Sequence, residues 1–260
     1  MRSTAEVVLD VDTGVDDALA LVLAVRTLRV RAVTCGYGNV PRDRAVRNTL
    51  AVLDVLGSAV PVGCGAAVPL SGVPVPPRSV HGRDGLGDLE LPPPARPAWG
   101  PAPDLLRAVL ADGVTVVALG PLTTLAMLGP DLARIGHLVV SGGLAGPDPN
   151  LDADPEAAAA VFAAVGRVTV YGPVFADVPL SQADVGPLCA SPDPAARLVG
   201  RLAAWQVARG AGLGDAGAVA AVVRPDLLTT RPGSRCGARV KLAERVDGAA
   251  AGRVFLGALT

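Results

Sequence analysis

The sequence predicts a single α/β domain with an open, mostly parallel, Rossmann-like sheet flanked by helices. Short β-branched runs alternate with apolar, helix-forming segments along most of the chain, as in sheets whose parallel strands are joined by helices. No shift in composition divides the chain, so residues 1–260 are predicted to form one domain. Acidic and amide side chains follow several strand-like runs, and such sheets bind ligands at the carboxyl ends of their strands.

The N-terminal quarter of the chain supplies three predicted strands and two predicted helices. "EVVLDVD" (6–12) is an apolar, β-branched run that predicts a buried strand, and residues 16–28 carry apolar side chains at helical spacing. "VRAVTCGYGN" (30–39) predicts a second strand that ends in a glycine-rich loop. Residues 41–57 predict a helix, because proline stands where a first turn accepts it and glycine ends the segment. Residues 60–65 predict a short third strand.

A long segment, residues 68–103, is dense in proline and glycine and predicts a loop with neither strand nor helix. Loops of this length in compact domains are often functional. Strand–helix alternation then resumes. The predicted helices are 104–112, 121–128, 154–166 and 193–209, and the predicted strands are 114–120, 137–143, 167–172, 238–246 and 252–259.

Composition and charge exclude several classes of protein. The 50% hydrophobic and 18% charged residues are typical of a soluble globular protein, and a net charge of -1 without a basic run argues against nucleic acid as a partner. No apolar stretch approaches the roughly 20 residues of a membrane span, so no membrane partner is expected. The N-terminus lacks the charged-then-apolar build of a signal peptide, which predicts a cytoplasmic location.

The cysteines lie far apart and form no CxxC pair, which argues against a zinc site. We interpret all of them as small buried apolar residues. They are Cys35, Cys64, Cys189 and Cys236.

Several aspartates are crowded together where the first predicted strand meets the first predicted helix. They are Asp10, Asp12, Asp16 and Asp17. Like charges this close raise the free energy unless a cation compensates them. Carboxylates also cap helix N-termini, but capping explains only one or two of these side chains. Hard oxygen ligands gathered at a loop suit Ca²⁺ or Mg²⁺, so we predict a cation site, with helix capping as the alternative.

The stretch "DVDTGVDDALAL" resembles the N-terminal signature of the nucleoside hydrolases, the inosine–uridine-preferring N-ribohydrolases, whose usual string is DxDPGxDDAxA. Further blocks resemble this family in the same order, and a weaker match, "LGDAGAVA", follows at 213–220. The resemblance implies the nucleoside hydrolase fold. The further blocks are "CGYGN" ending at Asn39, "VHGRDGLG" (80–87), "VVALGPLTTLA" (116–126), "VVSGG" (139–143) and "NLDADPEAA" (150–158).

The resemblance also implies a Ca²⁺ cofactor and a hydrolytic reaction. By position, the ion would be held by Asp12, Asp17, the backbone carbonyl of Leu119 and Asp215. Such an ion lowers the pKa of a bound water. Asp12 would be the catalytic base that takes the proton of this water, and attack on the anomeric carbon would pass through an oxocarbenium-like transition state.

The substrate implied by the resemblance is a small ribonucleoside. Asp16, Asn39 and Asn150 would bind ribose hydroxyls. Asp148 stands where the family carries a glutamate that contacts the sugar. Asp10 would support the site without binding the ion.

The sequence departs from the family at the acid that protonates the leaving base. The family places a histidine before its last metal-binding aspartate, where this chain has Gly214. General acid catalysis typically contributes about 10²- to 10⁴-fold. His81 would be either the remaining catalytic acid or a residue that holds the loop, and a cationic base such as nicotinamide would need no acid at all. Trp205 stands at an apolar helical position and is interpreted as a core residue.

The sequence therefore predicts a Ca²⁺-dependent hydrolase that releases ribose and free base in purine or pyrimidine salvage. One alternative is a non-catalytic protein of the same fold that binds a ribosyl ligand. A second is a haloacid-dehalogenase-type phosphatase, since "LDVDTGV" resembles the first motif of that family; Gly14 and the single lysine, Lys241, argue against it. The resemblance also implies a homodimer or homotetramer.

Overall fold

The computed structural model describes residues 4–110, 113–142, 148–175 and 178–259. The strands are β1 (Glu6–Val11), β2 (Arg29–Cys35), β3 (Val62–Cys64), β4 (Gly100–Pro101), β5 (Thr115–Ala118), β6 (His137–Ser141), β7 (Val168–Tyr171), β8 (Leu228–Arg235) and β9 (Ala238–Val246). The helices are α1 (Val15–Thr27), α2 (Arg42–Val55), α3 (Ala102–Val109), α4 (Thr123–Ala126), α5 (Pro155–Ala164), α6 (Gln182–Cys189), α7 (Pro194–Val207), α8 (Asp215–Val223) and α9 (Gly248–Gly257). Short 3₁₀ helices span Ser79–His81, Gly129–Arg134, Pro173–Phe175 and Pro225–Leu227.

The described strands form one continuous sheet in the order β4-β3-β2-β1-β5-β6-β7-β9-β8. Every neighbouring pair is parallel except β8 and β9, which run antiparallel. The predicted α/β class with a mostly parallel sheet is thus confirmed. The chain moves outward from β1 to β4 and then returns to the other side of β1 with β5. The carboxyl ends of β1 and β5 therefore border the crevice where such sheets bind ligands.

The sheet is buried on both faces, as expected when helices cover a parallel sheet. On β1 the side chains alternate: Val7, Leu9 and Val11 join the hydrophobic cluster around α1, and Val8 joins the cluster around α5. Helix α1 is enclosed on all sides, because every residue from Asp17 to Ala24 is buried. A helix that is apolar all round must lie inside the protein.

Helix α8 packs against α1 and places the first turns of the two helices side by side. Its inner residues are small: Ala216, Ala218 and Ala220 are at most 1% exposed. Small side chains let two helix backbones approach closely. The acidic residues Asp16, Asp17 and Asp215, all in first turns, are thereby brought together.

The structure corrects the prediction for the C-terminal segment. Residues 252–259 were expected to form a strand, but they belong mainly to α9. The side chain of Asp247 accepts a hydrogen bond from the backbone N–H of Ala250 and caps this helix. Alanine just after this cap favours the helix, and the short apolar run "RVFL" does not by itself distinguish the two structures.

The segment 68–103 is largely a loop, with two departures from the prediction. A 3₁₀ turn spans Ser79–His81, and the two-residue strand β4 pairs with β3 before α3 begins at Ala102. Helix α4 is also shorter than expected and is followed by a 3₁₀ helix. The predicted ends of helix 104–112 and strand 137–143 fall on residues 111–112 and 143, which lie outside the described part of the chain.

The interpretation of all four cysteines as buried is wrong for Cys236. Cys35 is buried and Cys64 and Cys189 are partly buried, but Cys236 is exposed. It lies at the turn between β8 and β9 with a φ of 48°. Within the described residues, the helices are too short or too polar to cross a lipid bilayer.

Candidate active site

The predicted site residues meet at the carboxyl edge of the sheet. Asp12 follows β1, Asn39 lies after β2, and Leu119 follows β5. Ser141 is the last residue of β6. The first turns of α1 and α8 face the same edge. The side chains on these elements therefore converge although they are distant in sequence.

Asp12 is fully buried and is held by Asn39 through both carboxylate oxygens. The backbone N–H of Asn39 donates to Oδ2 at 2.7 Å, and its side-chain amide donates to Oδ1 at 2.9 Å. Burial raises the pKa of Asp12 from 3.8 to about 7, although the positive charge of Arg78 and the Asn39 bond oppose this shift. Asp12 is thus a carboxyl group able to gain or lose a proton near neutral pH.

Two glycines make room for this carboxylate. A Cβ atom at Gly38 would lie 1.9 Å from Asp12 Oδ2, and one at Gly120 would lie 3.1 Å from Asp12 Cβ. A side chain at Gly38 and the present position of Asp12 exclude each other.

Asp17 connects Asp12 to the first turn of α1. Its Oδ2 accepts from the backbone N–H of Gly14 at 2.8 Å and from the Asn39 amide at 3.0 Å. Helix capping, the alternative role for the acidic cluster, therefore explains one oxygen of Asp17. The other, Oδ1, is buried without a hydrogen-bond partner. Burial, and next the charges of Asp12 and Asp16, raise the pKa of Asp17 well above its ordinary value.

Asp16, Asp17 and Asp215 each place a carboxylate oxygen within 4.8 Å of the others. Asp215 accepts from the hydroxyl of Ser141 at 2.7 Å, and burial raises its pKa strongly. Asp16 Oδ1 is buried and, like Asp17 Oδ1, has no hydrogen-bond partner. A hard divalent cation coordinated by oxygen fits these orphaned, converging carboxylates. The residues present therefore fit Ca²⁺ or Mg²⁺.

Asn150 joins the ends of β5 and β6. Its side-chain amide donates to the carbonyl of Leu119 at 2.8 Å and to the carbonyl of Ser141 at 3.1 Å. Asp148 Oδ1 in turn accepts from the backbone N–H of Asn150 at 2.9 Å. Asp148 is fully buried, with Arg235 Nη2 3.8 Å from its Oδ2. Asp148 thus holds the backbone of Asn150 in place.

Asp10 lies apart from the converging carboxylates. It accepts from the hydroxyl of Thr34 at 2.5 Å on the neighbouring strand. Burial raises its pKa to about 7. Its supporting role stays a prediction.

His81 fixes the long loop to the start of α1. Its Nδ1 accepts from the backbone N–H of Val15 at 3.2 Å and lies 3.7 Å from Asp16 Oδ1. A neutral imidazole that accepts through Nδ1 carries its proton on Nε2.

Gly214 precedes α8 with a φ of 51° and a ψ of -131°, a conformation that side chains avoid. A Cβ atom there would lie 3.0 Å from Asp16 Oδ2. A histidine at this position would require the backbone to move.

Sequence reasoning missed two residues of the site, Arg78 and Ser141. Arg78 Nη2 donates to Asn150 Oδ1 at 2.9 Å and to the carbonyl of Pro149, and its Nη1 lies 3.5 Å from Asn39 Oδ1. It reaches the site from the proline-rich loop, and no sequence pattern marks it. Ser141 stands in "VVSGG", so its place at a strand end was the available signal.

Comparison with known proteins gives a consistent result. A family model described as "Inosine-uridine preferring nucleoside hydrolase" matches residues 7–256. Uridine nucleosidase 1 of Arabidopsis thaliana is 33% identical over 257 residues, which cover 88% of this chain and 76% of that protein. Non-specific ribonucleoside hydrolase RihC of Escherichia coli K12 is 34% identical over 249 residues, which cover 86% of this chain and 81% of that protein.

Solved structures of similar proteins share the fold. A purine-preferring ribonucleoside hydrolase from Gardnerella vaginalis has a TM-score of 0.88 and 26% identity over 98% of both chains. A plant nucleoside hydrolase, PpNRh1, has a TM-score of 0.85 and 27% identity over 99% of both chains. The names of these relatives give different substrate preferences: one names uridine, one is non-specific, and one prefers purine nucleosides.

Proposed function

The chain belongs to the family of inosine-uridine preferring nucleoside hydrolases, which act on N-glycosyl bonds, and we propose that it hydrolyses ribonucleosides to ribose and free base with Ca²⁺ as cofactor. The observation that carries this proposal is the convergence of Asp16, Asp17 and Asp215, with two buried carboxylate oxygens that lack a partner. A divalent cation would satisfy the orphaned oxygen of Asp17 and offset the repulsion between the carboxylates, and a sugar hydroxyl would satisfy that of Asp16.

We propose that Asp12, Asp17, Asp215 and the Leu119 carbonyl hold the ion. The first three are buried carboxylates, whereas Asp16 retains 24% side-chain exposure. Asp16 is therefore the carboxylate of the cluster that a sugar can reach. When bound, Ca²⁺ orients a water molecule and makes it more acidic.

Asp12 is the proposed catalytic base. Its carboxylate is fixed by Asn39 at the carboxyl edge of the sheet, so a proton taken from water would be held at a defined position. As the bond to the base breaks, positive charge develops on the ribose ring. The surrounding carboxylates then stabilise an oxocarbenium-like transition state.

Ribose binding falls to Asp16, Asn39 and Asn150 in this proposal. Arg78 donates to Asn150 Oδ1 and lies beside Asn39 Oδ1, and each amide oxygen has a second lone pair that can accept another hydrogen bond. A sugar hydroxyl is a donor of the same kind. Asp148 keeps Asn150 in place, and we assign it an indirect role in sugar binding.

His81 is proposed to position the loop. Its Nδ1 is engaged by the backbone N–H of Val15, so an imidazolium would place two donors against each other there. The loop prediction for His81 is thus favoured over the prediction of a catalytic acid.

The test is release of reducing sugar from purine, pyrimidine and nicotinamide ribonucleosides, with and without a Ca²⁺ chelator. We expect release that the chelator abolishes and added Ca²⁺ restores. Release that is unaffected by the chelator would contradict the role of the ion. No release from any ribonucleoside by protein that binds Ca²⁺ would favour the non-catalytic, ribosyl-binding alternative.

We further propose a homodimer or homotetramer that acts in nucleoside salvage in the cytoplasm. The family resemblance supports this proposal. Light scattering of the purified protein would give the number of subunits.

A further inference from the structure

A cavity of about 450 Å³ adjoins the proposed sugar site at Asn39. This volume lies in the range of small-molecule sites, about 300–1,000 Å³. Its lining is cationic and includes one indole ring. The cationic residues are Arg78, Arg83 and Arg209, the indole ring belongs to Trp205, and Asp88 adds a carboxylate.

The arginines of this cavity differ in how their charge is compensated. Arg83 lies 3.7 Å from the carboxylate of Asp88, so it has an acidic partner. Among the described residues, Arg78 and Arg209 form no salt bridge with a carboxylate. The charge of Arg78 acts on Asp12, where it opposes the rise in pKa, but neither guanidinium group has a carboxylate bonded to it.

Both of these arginines are held in place. Arg78 is bound to Asn150 and to the carbonyl of Pro149. The guanidinium of Arg209 stacks on Trp205, with Cζ 3.3 Å from the ring centroid. The indole N–H of Trp205 donates to the carbonyl of Val80 at 3.3 Å, which connects this pair to the loop that carries Arg78. Groups fixed before reaction stabilise developing charge well.

We propose that this cavity receives the leaving base and that Arg78 and Arg209 stabilise the base as it departs as an anion. This inference rests on the proposed hydrolysis and assigns its preferred substrates: ribonucleosides of acidic oxo-bases. A base that is already cationic is disfavoured by the same charges, which opposes the expectation of a nicotinamide leaving group.

The reaction balances without a catalytic acid. The bond between C1′ and the base nitrogen breaks, and its electron pair stays on the base. Water supplies the new bond to C1′ and gives its proton to Asp12. The guanidinium groups remain protonated and bind the anion through charge-assisted hydrogen bonds. The base takes up a proton from solvent after release, and Asp12 loses one.

The experiment compares uridine with 5-fluorouridine, whose base leaves more easily as an anion but has nearly the same shape. In Arg209→Gln we expect kcat on uridine to fall about 10- to 100-fold, the range for loss of a hydrogen bond to a charged group. The fall on 5-fluorouridine should be several-fold smaller. Arg209→Lys should restore part of the loss, because it keeps the charge. Arg201→Gln is the matched control, since Arg201 is an exposed arginine on α7.

The outcomes separate this inference from the proposed function. Equal losses on both substrates, or an equally large loss on nicotinamide riboside in Arg209→Gln, would overturn the anionic leaving group. Hydrolysis of 4-nitrophenyl riboside tests the hydrolase alone, because nitrophenolate leaves without any help. If wild type and Arg209→Gln cleave it equally well, the proposed hydrolase activity stands. The comparison of uridine with 5-fluorouridine then decides whether Arg209 acts on the leaving base. Failure on every riboside would overturn both proposals.

Discussion

Asn39 and Asp12 are paired through both carboxylate oxygens, one bonded to the backbone and one to the side chain of Asn39. Only the side-chain bond can be removed by substitution. We expect Asn39→Ala to lower the free energy of unfolding by about 1–3 kcal/mol, because buried oxygens of Asp12 and Asp17 both lose a donor. Urea unfolding in chelator measures this change.

Asn48→Ala is the matched control for Asn39→Ala. Asn48 is also buried, but its amide donates to the backbone carbonyls of Asp84 and Thr13 and to no carboxylate. Both variants should lose stability, and only Asn39→Ala should also lose turnover. Equal losses of turnover would show that Asn39 acts through folding alone.

Asp12→Asn tests the catalytic base. In saturating Ca²⁺, which offsets any loss of affinity at this proposed ligand, we expect kcat to fall by about 10²- to 10⁴-fold while the far-ultraviolet circular dichroism stays unchanged. The amide has nearly the shape of the carboxylate but cannot accept a proton from water. Asp10→Asn is the control, since Asp10 is equally buried but bonded to Thr34. A small loss of kcat in Asp12→Asn together with a large loss in Asp10→Asn would show that Asp10, and not Asp12, is the catalytic base.

The division of work between Asp16 and Asp17 is measurable by Ca²⁺ titration. Asp17→Asn should weaken Ca²⁺ binding at least tenfold, because it removes a buried charged ligand. Asp16→Asn should leave Ca²⁺ affinity within a few-fold and raise the KM for ribonucleoside. Loss of Ca²⁺ affinity in Asp16→Asn would place Asp16, a member of the converging trio, among the ligands instead.

The metal-free protein should become less stable as pH rises from about 4 to about 7. Burial raises the pKa of both Asp10 and Asp12 from 3.8 to about 7 in the folded chain. Between these values the folded state binds more protons than the unfolded state, so the free energy of unfolding falls with rising pH. Urea unfolding with chelator across this range tests the sign. Excess Ca²⁺ should make the free energy of unfolding less dependent on pH. A free energy of unfolding that rises with pH in chelator would contradict this prediction.

Gly214→Ala should destabilise the protein more than Gly210→Ala. Both glycines have positive φ, but a Cβ at position 214 would press on Asp16, whereas nothing lies within 4 Å of one at position 210. Each strained backbone is expected to cost about 1–3 kcal/mol. Only Gly214→Ala should also change kcat/KM. Identical kinetics for the two variants would mean that Asp16 is not displaced.

The sequence predicted those parts of the fold that local patterns determine. β1, α1 and β2 have clear apolar runs bounded by polar strand ends, and their expected bounds agree with the structure within a few residues. Helix α8 was not predicted as an element, because "DAGAVAAVV" has no polar face and so no helical periodicity. Strand β8 was missed because it is mostly exposed and contains Pro232 and Gly233.

The site was predicted less evenly than the fold. The crowding of Asp12, Asp16 and Asp17 is visible in the chain itself, and the family resemblance added Asp215. The contact between Asp215 and α1 depends on helix packing over about two hundred residues of chain, which no local pattern encodes. Arg78 could not be predicted as a site residue, because its position depends on the conformation of an irregular loop.

Substitution of the glycines around Asp12 should be harmful although these residues take no part in the reaction. Gly38 and Gly120 offer no functional group, yet a single added methyl at Gly38 would occupy the place of an Asp12 oxygen. In a scan of all substitutions, Gly38 should be as intolerant as Asp12 itself. Asp12 can therefore keep its present position only while residue 38 has no side chain, whereas a methyl group at Gly120, 3.1 Å from Asp12 Cβ, requires only a small shift of Asp12.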